Sequence, residues 1–254
     1  MNRLELTKFA SLDYACSEAM NTLCTNLSFC GDNIRKIMVT SARPADGKTF
    51  LTMNMMRTLA GLRKKVVMVD ADLRRSSIKE KYGLQFLGEN KQGLTHYLAG
   101  MCKMEDIVYG TNITNAYMVP VGQDVLNSLQ LLSTPRLPAL LQYLAEQFDV
   151  VLLDTSPMGI IVDAAEIAKC CDGAVLAVAY NKIGRRELMD VHNIIRLAGC
   201  EILGAVLNGV ELNSYSNRRF YYKTYYYSHM YKNDDKPSWI KGRSPQKTKA
   251  PKTG

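Results

Sequence analysis

The sequence predicts a doubly wound α/β fold, a mostly parallel sheet covered by helices on both faces. Six short stretches are almost wholly apolar and lack in–out alternation, which is how strands buried on both faces read. They alternate with segments of helical apolar spacing, as successive strand–helix–strand units do. One apolar strand also runs into a Gly-Lys-Thr that opens a helix, and ligands of such sheets bind outside the carboxyl ends of strands.

Leu12, Ala15, Ala19, Leu23 and Leu27 predict a first helix over 12–29. Strands are predicted over 37–41, 66–70, 116–119, 149–153, 173–179 and 202–207. Helices are predicted over 48–62, 93–99, 136–147, 163–169 and 184–198. At 254 residues and 47% hydrophobic content, the chain is sized for one α/β domain with tails. No stretch of 18 or more residues is continuously apolar, and the first residues lack the apolar core of a secretory signal. The seven cysteines form no CxxC pair and have no histidine cluster beside them, so they read as reduced, mostly buried thiols of a cytosolic protein. The net charge of +8 is local. From residue 213 onward ten Lys/Arg face only Asp234 and Asp235, which leaves the first 212 residues neutral.

Residues 37–49, IMVTSARPADGKT, carry the clearest chemistry. Strand, turn, Gly-Lys-Thr and helix make a phosphate-binding layout: turn amides and the helix N-terminus attract a polyphosphate. Ala45, Asp46, Gly47, Lys48, Thr49 and Phe50 line this expected nucleotide site, with Lys48 reaching the β/γ-phosphates and Thr49 ligating Mg²⁺. The first glycine of the consensus is replaced by Ala42. Two further strands end in acids: VVMVD at Asp70, continuing to Asp72, and VVLLD at Asp154. An acid closing an apolar strand beside a phosphate loop is the Walker-B arrangement, which holds Mg²⁺ directly or through water.

The loop, VVMVDADLRR, GLTHYLAG at 93–100, DVVLLDTSPMGIIVD at 149–163 and ILGAVLN at 202–208 together resemble the bacterial tyrosine kinases (BY-kinases) of capsule and exopolysaccharide synthesis. The resemblance implies a MinD/ParA-like P-loop ATPase fold with ATP and Mg²⁺ as cofactors. It implies an N-terminal arm and helix over 1–30, a kinase domain over 31–212 and a tyrosine-rich basic tail over 213–254. It further implies that Asp72 and Asp154 complete the Mg²⁺ coordination begun by Thr49, that Asp70 orients or deprotonates the incoming tyrosine, and that Asn208 contacts adenine. Arg74 and Arg75 either meet the ATP phosphates or cap the strand end.

Seven of the 14 tyrosines fall at Tyr215, Tyr221, Tyr222, Tyr225, Tyr226, Tyr227 and Tyr231. Interleaved with basic residues, such tyrosines also suit stacking on bases. The resemblance favours phosphoacceptors, and nucleic acid is not expected as a partner. Each phosphate adds about −1.5 to −2 charges, so a few would cancel the tail's positive charge. The expected partners are a membrane-anchored activator of the polysaccharide co-polymerase type, protein substrates in polysaccharide synthesis, and further copies of the chain. That places the protein in the cytoplasm at the inner face of the membrane.

The chain departs from the family at several positions. Asn21 and Cys24 stand where a ring-assembly helix carries arginines, which argues against the usual ring. Arg43 stands at the slot of the ATPases' signature lysine, and segment 122–133 lacks an expected Pro-Asn-Pro. Ala45 replaces a glycine of the family loop, which is unfavourable if that position needs positive φ. The alternative function is a MinD/ParA-like ATPase switch, or a scaffold, without kinase activity.

Overall fold

The computed structural model describes residues 2–31, 33–159 and 162–210. The tyrosine cluster at 215–231 lies outside the described residues. Met1–Gly209 is one compact unit. It contains β1 (Asn2–Leu6), α1 (Tyr14–Ser28), β2 (Lys36–Ser41), α2 (Lys48–Gly61), β3 (Val66–Asp70), α3 (Ile78–Tyr82), β4 (Leu84–Phe86), α4 (Leu94–Leu98), β5 (Tyr109–Gly110) and β6 (Ala116–Val119). There follow α5 (Ser128–Leu132), α6 (Arg136–Gln147), β7 (Val150–Asp154), α7 (Asp163–Ala168), β8 (Gly173–Ala179), α8 (Arg185–Leu197) and β9 (Glu201–Asn208).

The strands form one sheet in the order β4-β1-β5-β6-β3-β7-β2-β8-β9. From β6 to β9 every neighbouring pair is parallel. The antiparallel pairs, β1 with β4 and β5 with β6, sit toward the other edge. Strand pleating divides the core in two. Met38, Val67 and Val69 face α6, α7 and α8, where Leu140, Leu144, Ile167, Val191 and Ile195 are buried. Ile37, Val39, Val66 and Met68 face α1 and α2, where Met20, Cys24, Leu51, Met55 and Leu59 are buried. Successive strand residues therefore serve opposite layers, which is why the sequence showed apolar runs without alternation.

The helices follow local rules. Asp13 caps α1 by accepting the Cys16 amide at 2.7 Å. In α6, Leu137, Leu140, Leu141 and Leu144 recur at three- and four-residue intervals and are all buried. Residues 2–6, inside the segment expected as an arm, instead form a sheet strand that buries Leu4 and Leu6. Of the cysteines, three are buried, three half-buried and Cys30 exposed, all free thiols, so fewer are buried than expected.

Candidate active site

Three adjacent strands deliver the loop and the acids to one edge. In the parallel ladder β3–β7–β2, Asp70 pairs with Asp154, and Asp154 pairs with Val39 just before the loop. Asp70 and Asp154 are both buried.

The loop is held from several sides. The Asp46 carboxylate accepts the Arg43 amide at 2.9 Å, and the Ser41 hydroxyl donates to the Arg43 carbonyl at 2.7 Å. Ala45 has φ +64°, so the condition under which alanine is strained there is met. Gly47 has φ +94°, and a β-carbon on it would come within 1.7 Å of the Asn208 Nδ2 atom. That nitrogen donates to the Asp46 carbonyl at 3.0 Å, so the end of β9 rests on the loop. Among the described residues the amides of Ala45, Asp46 and Gly47 donate to no other group. They remain available to a phosphate, as the α2 N-terminus does. Arg43 is taken up elsewhere: it donates to Glu187 at 2.6 Å and to the Lys182 carbonyl at 2.7 Å.

Lys48 is buried, and its charge is felt by both Asp72 and Asp154. Burial pushes the Asp154 carboxyl up to about 6, against the opposing hydrogen bond from Thr49 and the charge of Lys48. Thr52 also reaches Asp154, at 3.4 Å. Burial, followed by the charge of Asp154, holds Asp70 well above the usual carboxylate range, although Ser76 donates to its Oδ2 at 2.5 Å. Burial raises half-buried Asp72, and Lys48 opposes the shift. Phe50 is partly exposed on the first turn of α2.

The residues fit a Mg-nucleotide. Asp70 Oδ1 and Ser156 Oγ are the only buried side-chain polar atoms without a partner among the described residues, and both belong to this edge. A buried acceptor left open beside carboxylates held in the protonated direction is what a site awaiting a cation looks like. Among the described residues no three His, Cys, Asp or Glu side chains group to hold a metal alone. Mg²⁺ does not need them, since it keeps waters and takes one or two carboxylates plus substrate phosphates. Thr49, Asp72 and Asp154 supply hard oxygens of that kind. A groove of about 560 Å³ lined by Tyr97, Met104 and Arg136 shares no residue with this site.

The comparisons agree with this geometry. Residues 34–197 match the AAA-domain family model. The chain is 32% identical over 196 residues to the tyrosine-protein kinase CpsD of Streptococcus pneumoniae, covering 77% of this chain and 85% of that protein. This chain belongs to the bacterial tyrosine-protein kinase family. The kinase is also 29% identical over 222 residues to the tyrosine-protein kinase YwqD of Bacillus subtilis, covering 87% of the chain and 91% of the relative. Its fold superposes on the kinase domain of Escherichia coli tyrosine kinase ETK with a TM-score of 0.73 at 30% identity, over 78% and 77% of the two chains. The septum site-determining protein MinD of Pyrococcus horikoshii, complexed with Mg-ADP, matches at a TM-score of 0.59 and 28% identity, over 68% and 70%. The MinD-like expectation therefore holds for the kinase's fold. Among the described residues no helix is long and apolar enough to cross a membrane.

The structure brings Lys48, Thr49, Asp70, Asp72, Asp154 and Asn208 to one edge. Sequence reasoning missed Ser76, Ser128 and Asp163. Ser76 follows the VVMVDADLRR stretch closely enough to be suspected. Nothing in the sequence linked Ser128 or Asp163 to Arg74, which donates to Asp163 at 2.8 Å.

Proposed function

We propose that this kinase transfers the γ-phosphoryl group of ATP to tyrosines of its own 215–231 cluster. In the reaction the phenol oxygen forms a bond to the γ-phosphorus, the bond to the β,γ-bridging oxygen breaks, and ADP leaves. Lys48 and the amides around Gly47 hold the β/γ-phosphates, and Asn208, which braces the loop from the end of β9, contacts the base. Mg²⁺, when bound through Thr49, Asp154 and Asp72, supplies charge neutralisation to the phosphates. Asp70 accepts the phenolic proton. A phenol has a pKa near 10, so a carboxylate of raised basicity is a better acceptor than an ordinary one.

The observation that carries this reading is the open oxygen of buried Asp70 beside Asp154 and the loop. A nucleotide switch needs the loop and the Mg²⁺ acids, but it needs no tyrosine cluster. The family resemblance further supports a role in capsule or exopolysaccharide synthesis. There the cytoplasmic kinase would be recruited to the membrane by an anchored activator of the polysaccharide co-polymerase type and would meet other copies and further protein substrates.

The test mixes the full chain with ATP and Mg²⁺, with and without the cytosolic segment of a candidate activator. Phosphotyrosine is mapped by mass spectrometry beside Lys48→Met and a variant with all seven tyrosines changed to Phe. The expected result is phosphate on the cluster, lost in both variants, with ATP binding kept in the second. Release of free phosphate without phosphotyrosine would establish the switch instead.

A further inference from the structure

One buried carboxylate ties together three loops at the carboxyl edge. Asp163, at the start of α7 beyond β7, has a side chain only 2% exposed. Its Oδ2 accepts Arg74 Nε at 2.8 Å, and its Oδ1 accepts Arg74 Nη2 at 3.3 Å. Arg74 lies two residues beyond Asp72 in the loop after β3. The Ser128 hydroxyl, which opens α5 beyond β6, donates to the same Oδ2 at 2.5 Å. The backbone repeats the tie, since the Val125 amide donates to the Leu73 carbonyl at 2.9 Å.

A carboxylate is buried only where its charge and lone pairs are answered. Here a two-pronged guanidinium and a hydroxyl answer them, which fixes the plane of the Arg74 head as well as its position. Asp163 engages one side of that head. The Arg74 side chain remains 40% exposed, and its Nη1 has no hydrogen-bond partner among the described residues. Arg74 stands two residues after Asp72 and feels its charge, which keeps the head within electrostatic range of one acid assigned to phosphoryl transfer. A rigid guanidinium with one edge anchored and one edge open suits a phosphoryl group whose equatorial oxygens carry the developing charge.

We propose that Arg74 supplies a second cation, besides Lys48, to the phosphoryl group in flight, and that Asp163 and Ser128 are its positioning residues. The inference rests on the phosphoryl-transfer reading above. It differs from a purely architectural pair because the effect must be concentrated on the transferring group and not on bound nucleotide.

The experiment measures the affinity of the full chain for Mg-ADP and for Mg-ADP with aluminium fluoride, which mimics the planar phosphoryl group. Wild type, Arg74→Ala, Arg74→Lys, Ser128→Ala and Asp163→Asn are compared by calorimetry, with thermal melts and tyrosine phosphorylation rates alongside. Arg74→Ala should keep ADP affinity within about threefold and lose at least about tenfold of the extra affinity for the mimic, because a removed oxyanion donor typically costs 10²–10³ in rate. Arg74→Lys should recover only part, lacking the fork. Ser128→Ala should show a smaller loss of the same kind.

Asp163→Asn removes a buried charge and can fail to fold, so the Arg74 and Ser128 variants carry the test. Two results overturn the proposal: mimic and ADP affinities falling together with the melting temperature in Arg74→Ala, or mimic binding unchanged from wild type. If wild type forms no phosphotyrosine while the mimic binding still depends on Arg74, the tyrosine-kinase reading fails and the role of Arg74 in phosphoryl transfer stands.

Discussion

Ala45→Gly tests the geometry of the phosphate loop directly. Ala45 holds φ +64°, in the left-handed region, where an L-residue with a β-carbon is disfavoured by about 1–2 kcal/mol. Glycine removes that strain. It also adds about 0.4–1 kcal/mol of conformational freedom to the unfolded chain, which opposes the gain. The net expectation is a stabilisation of about 0.5–1 kcal/mol. At about 2–4 °C per kcal/mol for a chain of this size, the melting temperature should rise by about 1–4 °C. The sign is decisive. At an ordinary negative-φ position of a regular element the same replacement lowers stability by about 0.5–1 kcal/mol. Thermal melts without nucleotide read this first effect. Calorimetric titration with Mg-ADP reads a second: if the loop is already in its binding shape, affinity should stay within about twofold. A melting temperature lowered by 2 °C or more would refute the left-handed assignment, and an affinity gain of tenfold would show that the loop is not preformed.

Other expectations follow from the same edge and from the sheet. Asp154→Asn should abolish Mg²⁺-dependent phosphorylation yet stabilise the nucleotide-free protein at pH 7–8. The Asp154 carboxyl, raised from 3.8 to about 6, contributes stability that is fully present below about pH 4 and lost as pH rises through 6. By that shift the gain is on the order of 3 kcal/mol, and melts across pH 4–8 in chelator check it. Asn208→Ala removes the bond to the Asp46 carbonyl and should cost about 1 kcal/mol in urea unfolding while weakening ATP more than pyrophosphate. Equal weakening of the two ligands would count against base contact. Leu4→Ala should cost about 2–5 kcal/mol, since Leu4 is 1% exposed inside the sheet. A loss under 0.5 kcal/mol would mean that the first strand is dispensable.

The central strands and the longer helices were legible because burial left its mark on their residues. Lys36–Ser41, Val66–Asp70 and Gly173–Ala179 are apolar on both faces, and α6 shows its leucines at helical spacing. Asn2–Leu6, Leu84–Phe86 and Tyr109–Gly110 were not. Asn2–Leu6 reads NRLEL, too short and too charged to signal a strand, and it becomes one only because Leu84–Phe86 and Tyr109–Gly110 lie on either side. The site divided along the same line. Lys48, Asp70 and Asp154 stand at the ends of legible strands, so their grouping followed from the topology. Ser76 meets Asp70 through a turn, and Ser128 meets Asp163 across 35 positions, and no local pattern encodes either meeting. The Ala45 substitution was visible as a departure, and the backbone angle that makes it matter needed coordinates.

The placement of the first strand sets an order of events during synthesis. Asn2 pairs with Tyr109 and Leu4 with Phe86, so this strand is made well before either of its neighbours. At about 5–20 residues per second, roughly 5–20 s pass before its second partner exists. Through that interval the sheet around Leu4 and Leu6 is incomplete, and the nascent chain offers a chaperone or a protease an apolar handle that the finished sheet hides.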